Sequence, residues 1–228
     1  MAYQYDIAPV REAFEAYIDT DIPNATGDFH ICCDYTLHGN EWTEYPKIRA
    51  MTSVINWKSN VGGSDSVHNI RTKLSADIHR GDYVYDPTSG TVGLITYFID
   101  NMPDCKRTQV STCNAQVEVY RDVAENIDPE TGMLIAEATT ETVVHKCPAF
   151  YSSMYGRFLY ELGNNVPGIM PDQKIELRVQ WNNETKNLAS GDRFVLRGIE
   201  HRVMFITYDY LDMNDEHGFI VLTCERVE

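Results

Sequence analysis

Apolar residues recur every three or four positions near the N-terminus, and this spacing predicts an amphipathic helix of about three turns. Asp6 is placed to cap its start, and Pro9 lies in the first turn, where a missing N–H costs nothing. The apolar stripe either packs on the chain's own β structure or docks on a partner, and the pattern alone favours the first. The candidate partner-interface residues are Ile7, Val10, Phe14 and Tyr17.

Beyond residue 78, apolar and polar residues mostly alternate, as they do in strands with one buried face. The clearest runs are 83–85, 92–98, 113–120, 175–181, 191–196, 202–208 and 218–227. Shorter apolar runs at 29–33 and 51–57 are further candidate strands, whereas 148–160 fits a short helix or a loop. The pattern predicts a mainly β chain with minor α content, built as two small barrel-like or sandwich-like modules plus the N-terminal helix.

These patterns divide the chain into four parts. We expect an N-terminal helix and irregular segment over 1–77 and a first β module over 78–125. An acidic and aromatic connection over 126–172 then leads to a C-terminal β module over 173–228.

The two β modules share a weak repeat. Gly81-Asp82 opens one predicted strand and Gly191-Asp192 opens another, and each is followed by a short loop and a returning strand. The returning strands align through Leu94–Tyr97 and Phe205–Tyr208. The repeat predicts two related β units, although matches this short also arise by chance in β proteins.

No catalytic motif is recognisable in the sequence. The seven histidines are scattered, and none stands out as a general base. His30 with Cys32 and Cys33 is the nearest metal-like group, but no second ligand pair follows at zinc-site spacing. Asp212–Gly218 imitates a calcium loop with its glycine one place late, which favours a hairpin turn. We therefore expect no catalytic residue, no cofactor and no metal, in a protein that is not an enzyme.

Composition limits the partners. The 228 residues include 19 basic and 34 acidic side chains, for a net charge of −15, and residues 122–141 hold six acids and no base. Such a surface repels phosphate, so tight nucleic-acid binding and attraction to anionic lipid are both disfavoured. No apolar run approaches the roughly 20 residues that span a bilayer, so we expect no membrane contact. No export signal is recognisable, and the six scattered cysteines fit reduced thiols.

Three stretches stand in an informative order. In the first, 78–85, a basic residue and Gly-Asp open a strand; the second is 108–114. The third begins at 179–185 and continues through 191–194, 202–203 and 218–222. In this order and spacing, which cover about half of the chain, the sequence resembles the head-closure, neck or head–tail connector proteins of tailed bacteriophages. The first 70 residues match that family poorly, and no immunoglobulin-like tail follows Glu228, which suggests a minimal connector.

The resemblance implies a non-enzymatic structural protein of the virion. Such proteins form a ring, expected here to be sixfold or twelvefold, with a portal or adaptor ring above and tail proteins below. The ring extends or closes the DNA channel, and acidic side chains in it would let genomic DNA pass without tight binding. The implied location is the virion neck, assembled in the bacterial host cytoplasm. Two alternatives stay open: a tail-terminator or baseplate component, and a small acidic cytosolic β-barrel enzyme or binding module.

Overall fold

The computed structural model describes residues 7–20, 26–55, 67–99, 104–123, 126–127, 134–136, 138–153, 174–214 and 216–227. In these ranges the chain is mainly β, with one α-helix, α1 (Ala8–Asp19), and two short 3-10 helices, Trp42–Glu44 and Thr185–Asn187. None of these helices is long and apolar enough to cross a membrane.

The first six strands close into an antiparallel barrel, called barrel 1. They are β1 (Thr26–Cys32), β2 (Lys47–Ile55), β3 (Val67–Thr72), β4 (Tyr83–Asp86), β5 (Thr91–Ile99) and β6 (Lys106–Thr112). Their order around the wall is β1-β2-β3-β6-β5-β4, and β4 pairs with β1 to close it.

Six later strands close a second antiparallel barrel, called barrel 2. They are β7 (Ala115–Val123), β10 (Thr139–Ser153), β11 (Lys174–Gln180), β12 (Arg193–Leu196), β13 (Ile199–Thr207) and β14 (Phe219–Arg226). Two short strands, β8 (Asn126–Ile127) and β9 (Leu134–Ala136), form a separate pair between β7 and β10. The wall order is β7-β10-β11-β14-β13-β12, closed by the pairing of β12 with β7.

The two barrels have the same topology, because β7 and β10–β14 follow one another around the wall as β1–β6 do. The correspondence extends to irregularities: β5 has a register shift between Ile95 and Tyr97, and β13 has one between Val203 and Phe205. Two barrel modules and an N-terminal helix were predicted, and this architecture is confirmed. The predicted alignment of the returning strands, β5 and β13, was wrong by three residues. Leu94 pairs with Tyr83 and Arg202 pairs with Arg193, at equivalent positions after the two Gly-Asp turns, so Leu94 corresponds to Arg202 rather than to Phe205.

The strands divide the chain at different residues from those the sequence predicted. Barrel 1 begins at Thr26, inside the segment 1–77 that was expected to be irregular. β7 and β10 belong to barrel 2, although they lie in the predicted first module 78–125 and connection 126–172. Alternation fails at β3, β6 and β10, for two reasons. Strands β3 and β6 bury polar residues, Asn69, Thr72, Thr108 and Ser111, and β10 buries four consecutive residues, Cys147, Pro148, Ala149 and Phe150.

Strand β10 also corrects the prediction for 148–160, because it remains extended as far as Ser153. The remainder of that range, 154–160, lies outside the described residues.

Helix α1 packs on barrel 1 through its last turn. Ile18 is fully buried, Arg49 Nε donates to its carbonyl oxygen at 3.2 Å, and Lys73 pairs with Asp19 at 2.7 Å. Ile7 is the N-cap residue and makes no side-chain cap, and the predicted cap Asp6 lies outside the described residues.

The four candidate interface residues lie mostly on the solvent side of α1. Ile7 is 37%, Val10 57% and Tyr17 42% exposed, and Phe14 is half-buried. Their role as a partner interface stays a prediction.

The two barrels have different cores. Barrel 1 has a small apolar core of its own, made of Phe29, Ile31, Ala50, Ile70, Ile78, Val84, Ile95 and Val110. The larger cluster fills barrel 2 and continues into barrel 1 through Cys32, Tyr35, Tyr45, Tyr83 and Leu94. The junction between the barrels is therefore part of a continuous apolar core.

Candidate functional site at the barrel junction

A buried glutamine joins the two barrels. Gln180, at the end of β11, is 1% exposed, and its Nε2 donates to the carbonyl oxygens of Cys32 (2.7 Å) and Gly81 (3.2 Å) in barrel 1. Its Oε1 accepts from the Tyr35 backbone N–H at 2.8 Å. A buried amide with all these partners fixes one relative position of the barrels, because sliding would leave the groups unpaired.

Two glycines bring backbone from the two barrels into direct contact. Gly81 has φ +88°, and a Cβ atom built on it would lie 1.7 Å from the carbonyl oxygen of Gly218. Gly218 has φ +144° and is itself crowded by the Tyr210 carbonyl oxygen at 2.5 Å from its own Cβ position. Only residues without a side chain allow this approach.

Three potential ligand groups meet beside this contact, and we call them the junction cluster: His79, Asp82 and His217. His79 and Asp82 flank Gly81 in barrel 1, and His217 precedes Gly218 in barrel 2. One nitrogen from each imidazole and one carboxylate oxygen all lie within 4.8 Å of one another. The two imidazole rings are stacked, with centroids 4.0 Å apart and planes 10° from parallel.

Asp82 is the buried member of the cluster, with 2% exposure. The His79 backbone N–H donates to its Oδ2 at 2.7 Å, and the His79 ring Nδ1 lies 3.8 Å from the same atom. Burial raises the pKa of Asp82 to about 8, and the negative charge of Asp77 adds to the shift. Burial also lowers the pKa of His79, and the neighbouring His217 lowers it further. Both shifts favour the neutral forms of Asp82 and His79.

The matching turn of barrel 2 shows what the fold alone requires. Asp192 Oδ2 accepts from the Ala189 backbone N–H at 2.7 Å, as Asp82 does from His79. Gly191 N–H donates to Val203 and Gly81 N–H to Ile95, both at 2.8 Å. Both aspartates therefore fasten the same turn.

The two aspartates differ in charge balance. Asp192 forms a two-point ion pair with Arg121, whose Nε and Nη2 donate at 2.6 and 2.9 Å. Asp82 pairs with no arginine or lysine in the part of the chain that the structure describes. Tyr83 and Arg193 correspond to each other, because each follows the Gly-Asp pair of its turn. Cys32 lies opposite Tyr83 and Tyr120 lies opposite Arg193, so Cys32 corresponds to Tyr120. The next residue, Cys33, therefore occupies in barrel 1 the position that Arg121 occupies in barrel 2.

A shallow pocket of about 380 Å³ adjoins the cluster. Its lining includes both barrels: Cys33, Asp34, Trp181, Asn182, Asn183, Lys186, Glu216 and His217. Cys33 is exposed, and its pKa is raised by partial burial and then by the charge of Asp82. The thiol therefore lies in the same electrostatic environment as the cluster.

The residues that the sequence singled out are not the ones the structure brings together. His30 Nδ1 lies 3.0 Å from the Tyr45 carbonyl oxygen. Among the described residues, His30, Cys32 and Cys33 belong to no group of three side chains close enough together to bind one metal ion. Asp212–Gly218 does form a turn, in which the Asp212 N–H donates to the His217 carbonyl oxygen at 2.9 Å. Sequence reasoning missed the cluster because His217 is remote in the chain, although the Gly-Asp repeat already marked Asp82.

Comparison with known proteins found no matching family model and no matching curated protein. Among solved structures, the chain is similar to MrkH, a c-di-GMP-dependent transcription regulatory factor, at 9% identity over 95% of this chain and 83% of that one. The TM-score is 0.22, so this likeness carries no argument.

Proposed function

We propose that this chain is a non-enzymatic structural protein of a tailed bacteriophage, forming a neck ring between portal and tail. The proposal rests on the sequence resemblance described above and on one structural observation, a β ribbon that leaves the wall of barrel 2. The described residues of this ribbon are 121–123, 126–127, 134–136 and 138–142, and together they are called the acidic arm.

Among the described residues, the backbone of the acidic arm pairs with no other strand of barrel 2, although the side chains of Arg121 and Asp122 pair with Asp192 and Arg193 at its base. The pairing of β7 with β12 ends at Tyr120, and β10 pairs with β11 only from Phe150 onward. Between these limits β7 and β10 pair only with each other, and β8 and β9 continue the ladder with Asn126 opposite Ala136. A two-stranded ribbon is at best marginally stable alone in water, and both its edges can accept another strand. An arm of this kind fits contact with a neighbouring copy in a ring.

The junction supports the same proposal. A subunit that transmits contacts from a portal to a tail must hold its two ends in a fixed relation. The Gln180 hydrogen bonds, the Gly81–Gly218 approach and the shared core give the two barrels one relative position. The net charge of −15 suits a channel that DNA passes without sticking.

Deletion of the gene from its phage tests the proposal. We expect DNA-filled heads and separate tails that fail to join, and we expect a plasmid copy of the full chain to restore joining. A plasmid copy in which an Asn-Gly turn replaces residues 124–138, between the paired Val123 and Thr139, keeps both barrels and should fail to restore joining. Infectious particles with a complete neck in the absence of the chain would overturn the proposal.

A pocket in barrel 1 favours a second candidate, a small-molecule binding module. The pocket measures about 330 Å³ and is lined by apolar Phe29, Ile70, Val84 and Val110 and by polar Thr52, His68, Asp86, Ser89, Thr91 and Thr112. That volume is at the small end for a ligand site. Thr91 is exposed and lines this pocket, so the Thr91→Trp substitution should place an indole ring in the pocket and obstruct it. A connector should tolerate the change, whereas a binding module should lose its function.

A further inference from the structure

We propose that the junction cluster binds one divalent transition-metal ion of the zinc class, with His79, Asp82 and His217 as its ligands. The ion would link the turn before β4 in barrel 1 to the turn before β14 in barrel 2. The site is separate from the acidic arm and from the pocket of barrel 1, so it does not depend on the proposed function.

The donor set and its spacing fit such an ion. Imidazole nitrogens and carboxylate oxygens bind zinc at about 2.0–2.2 Å, which places neighbouring ligand atoms about 3.4 Å apart. The three groups lie within 4.8 Å of one another, so they must approach by an ångström or so. The stacked imidazoles must also turn until a nitrogen of each faces the ion. Both histidines are only partly buried, which leaves room for this rotation.

The comparison of the two turns gives the independent reason for a cation. In barrel 2 the buried carboxylate of Asp192 is balanced by Arg121. In barrel 1 the same turn buries Asp82 at 2% exposure beside two imidazoles, and no fixed positive charge pairs with it among the described residues. A buried carboxylate is stable as an anion only when a cation accompanies it. A metal ion supplies that charge, and the imidazoles supply the remaining ligands.

Cys33 lies near the junction cluster but is not one of its three close ligand groups. Strand register gives it the place of Arg121, and it lines the same pocket as His217. The two imidazoles and the carboxylate of the junction cluster favour zinc or cobalt over calcium or magnesium, which prefer oxygen ligands.

Metal binding to the full-length chain tests the inference. The protein is stripped with EDTA, titrated with Co²⁺ while visible absorption is recorded, and then titrated with Zn²⁺ by calorimetry. We expect one ion per chain and displacement of Co²⁺ by Zn²⁺. His217→Ala, in an exposed turn region, should weaken binding by at least about tenfold, and His79→Ala should do the same.

Two further variants separate the site from general effects. His145→Ala removes a histidine that pairs with Glu184 at 2.7 Å elsewhere on the surface, and it should leave metal affinity unchanged. Cys33→Arg installs the cation of barrel 2 beside Asp82, and it should abolish metal binding while circular dichroism stays native. Absence of saturable binding to the wild-type chain would overturn the inference and leave a proton as the only counter-charge at Asp82. Binding that survives both His79→Ala and His217→Ala would also overturn it.

Discussion

The turns that open β4 and β12 have the same backbone and different chemistry. Each places a glycine with positive φ before a buried aspartate, whose carboxylate accepts an N–H from three residues earlier. In barrel 2 the aspartate is satisfied within its own module by Arg121, whereas in barrel 1 it faces histidines from both modules. The glycine and the aspartate that caps the turn occur in both barrels, so the barrel fold accounts for them. The partners of the aspartate carboxylate differ, and this difference points to the junction cluster as a site.

A second difference concerns the surroundings of the two turns. Gly191 has open space around its Cβ position, whereas Gly81 touches the backbone of the other barrel. The core of barrel 2 is large and continues through the junction, while barrel 1 keeps a small core and an open pocket. Barrel 1 therefore depends on barrel 2 for much of its apolar burial, and we expect barrel 2 to be the more stable of the two.

The largest expected effect separates the two glycines. Gly81→Ala forces a methyl group into the Gly218 carbonyl, so we expect the free energy of unfolding to fall by about 3 kcal/mol or more. Gly191→Ala meets no atom and should lose only about 1–2 kcal/mol, from its positive φ. Urea unfolding of both variants, followed by circular dichroism, measures the difference. Equal losses would show that the junction is not a close backbone contact.

The two aspartates should differ next. Asp192→Asn removes a charge-assisted pair with Arg121 and should cost about 2 kcal/mol. Asp82→Asn removes the cost of keeping a buried acid protonated at pH 7, because the pKa of Asp82 is about 8 in the folded chain and 3.8 in the unfolded chain, so we expect no loss of stability in metal-free protein. The same unfolding assay at pH 7 tests this order, and a larger loss for Asp82→Asn would contradict it.

Removal of residues 1–20 should affect the two barrels unequally. It removes the buried Ile18 and the ion pair of Lys73 with Asp19, so we expect barrel 1 to lose about 1.5–2 kcal/mol. Hydrogen exchange measured by mass spectrometry should quicken in β2 and remain unchanged in β11–β14. If the four candidate interface residues, Ile7, Val10, Phe14 and Tyr17, contact a partner, the same truncation also weakens ring assembly. Quickened exchange throughout barrel 2 would place the helix in a common core.

The last expected difference is a dependence of stability on pH, which Asp82 causes and which is spread over several pH units. Because burial raises the pKa of Asp82 from 3.8 to about 8, the folded chain binds a proton there that the unfolded chain has released. The stabilisation is complete below about pH 4 and is lost as pH rises to about 8, by roughly 1.4 kcal/mol per unit at most. In metal-free protein, the stability of the wild type minus that of Asp82→Asn should therefore fall between pH 5 and pH 7. A difference that does not change over this interval would mean that Asp82 is ionised throughout.

The sequence predicted the fold class better than the boundaries of its parts. Alternation identifies β7 and β13, where one face is more buried than the other. It also identifies β11, although Glu176 and Gln180 on the polar face of that strand are buried. It fails at β3 and β6, whose buried threonines and asparagine resemble loop residues, and at β10, where four consecutive residues are buried. Barrel closure depends on pairing between distant strands, such as β1 with β4, which local periodicity does not contain.

The site was harder to predict than the fold. The Gly-Asp repeat pointed to Asp82 and Asp192, and Gly81 and Gly191 do adopt the positive φ that favours glycine at such turns. Nothing near residue 80 indicates that His217 completes a cluster with His79, because that contact exists only after the two barrels dock. That Cys33 occupies in barrel 1 the position that Arg121 occupies in barrel 2 is recognised only when the strand registers of the two barrels are matched.

The most direct test of the whole account is a cryo-electron microscopy map of the neck of the parent particle. The account predicts a closed ring in which each copy contributes both barrels in the relative position fixed by Gln180 and Gly81, with its acidic arm against the next copy. A complete neck that contains no density for these paired barrels would contradict it.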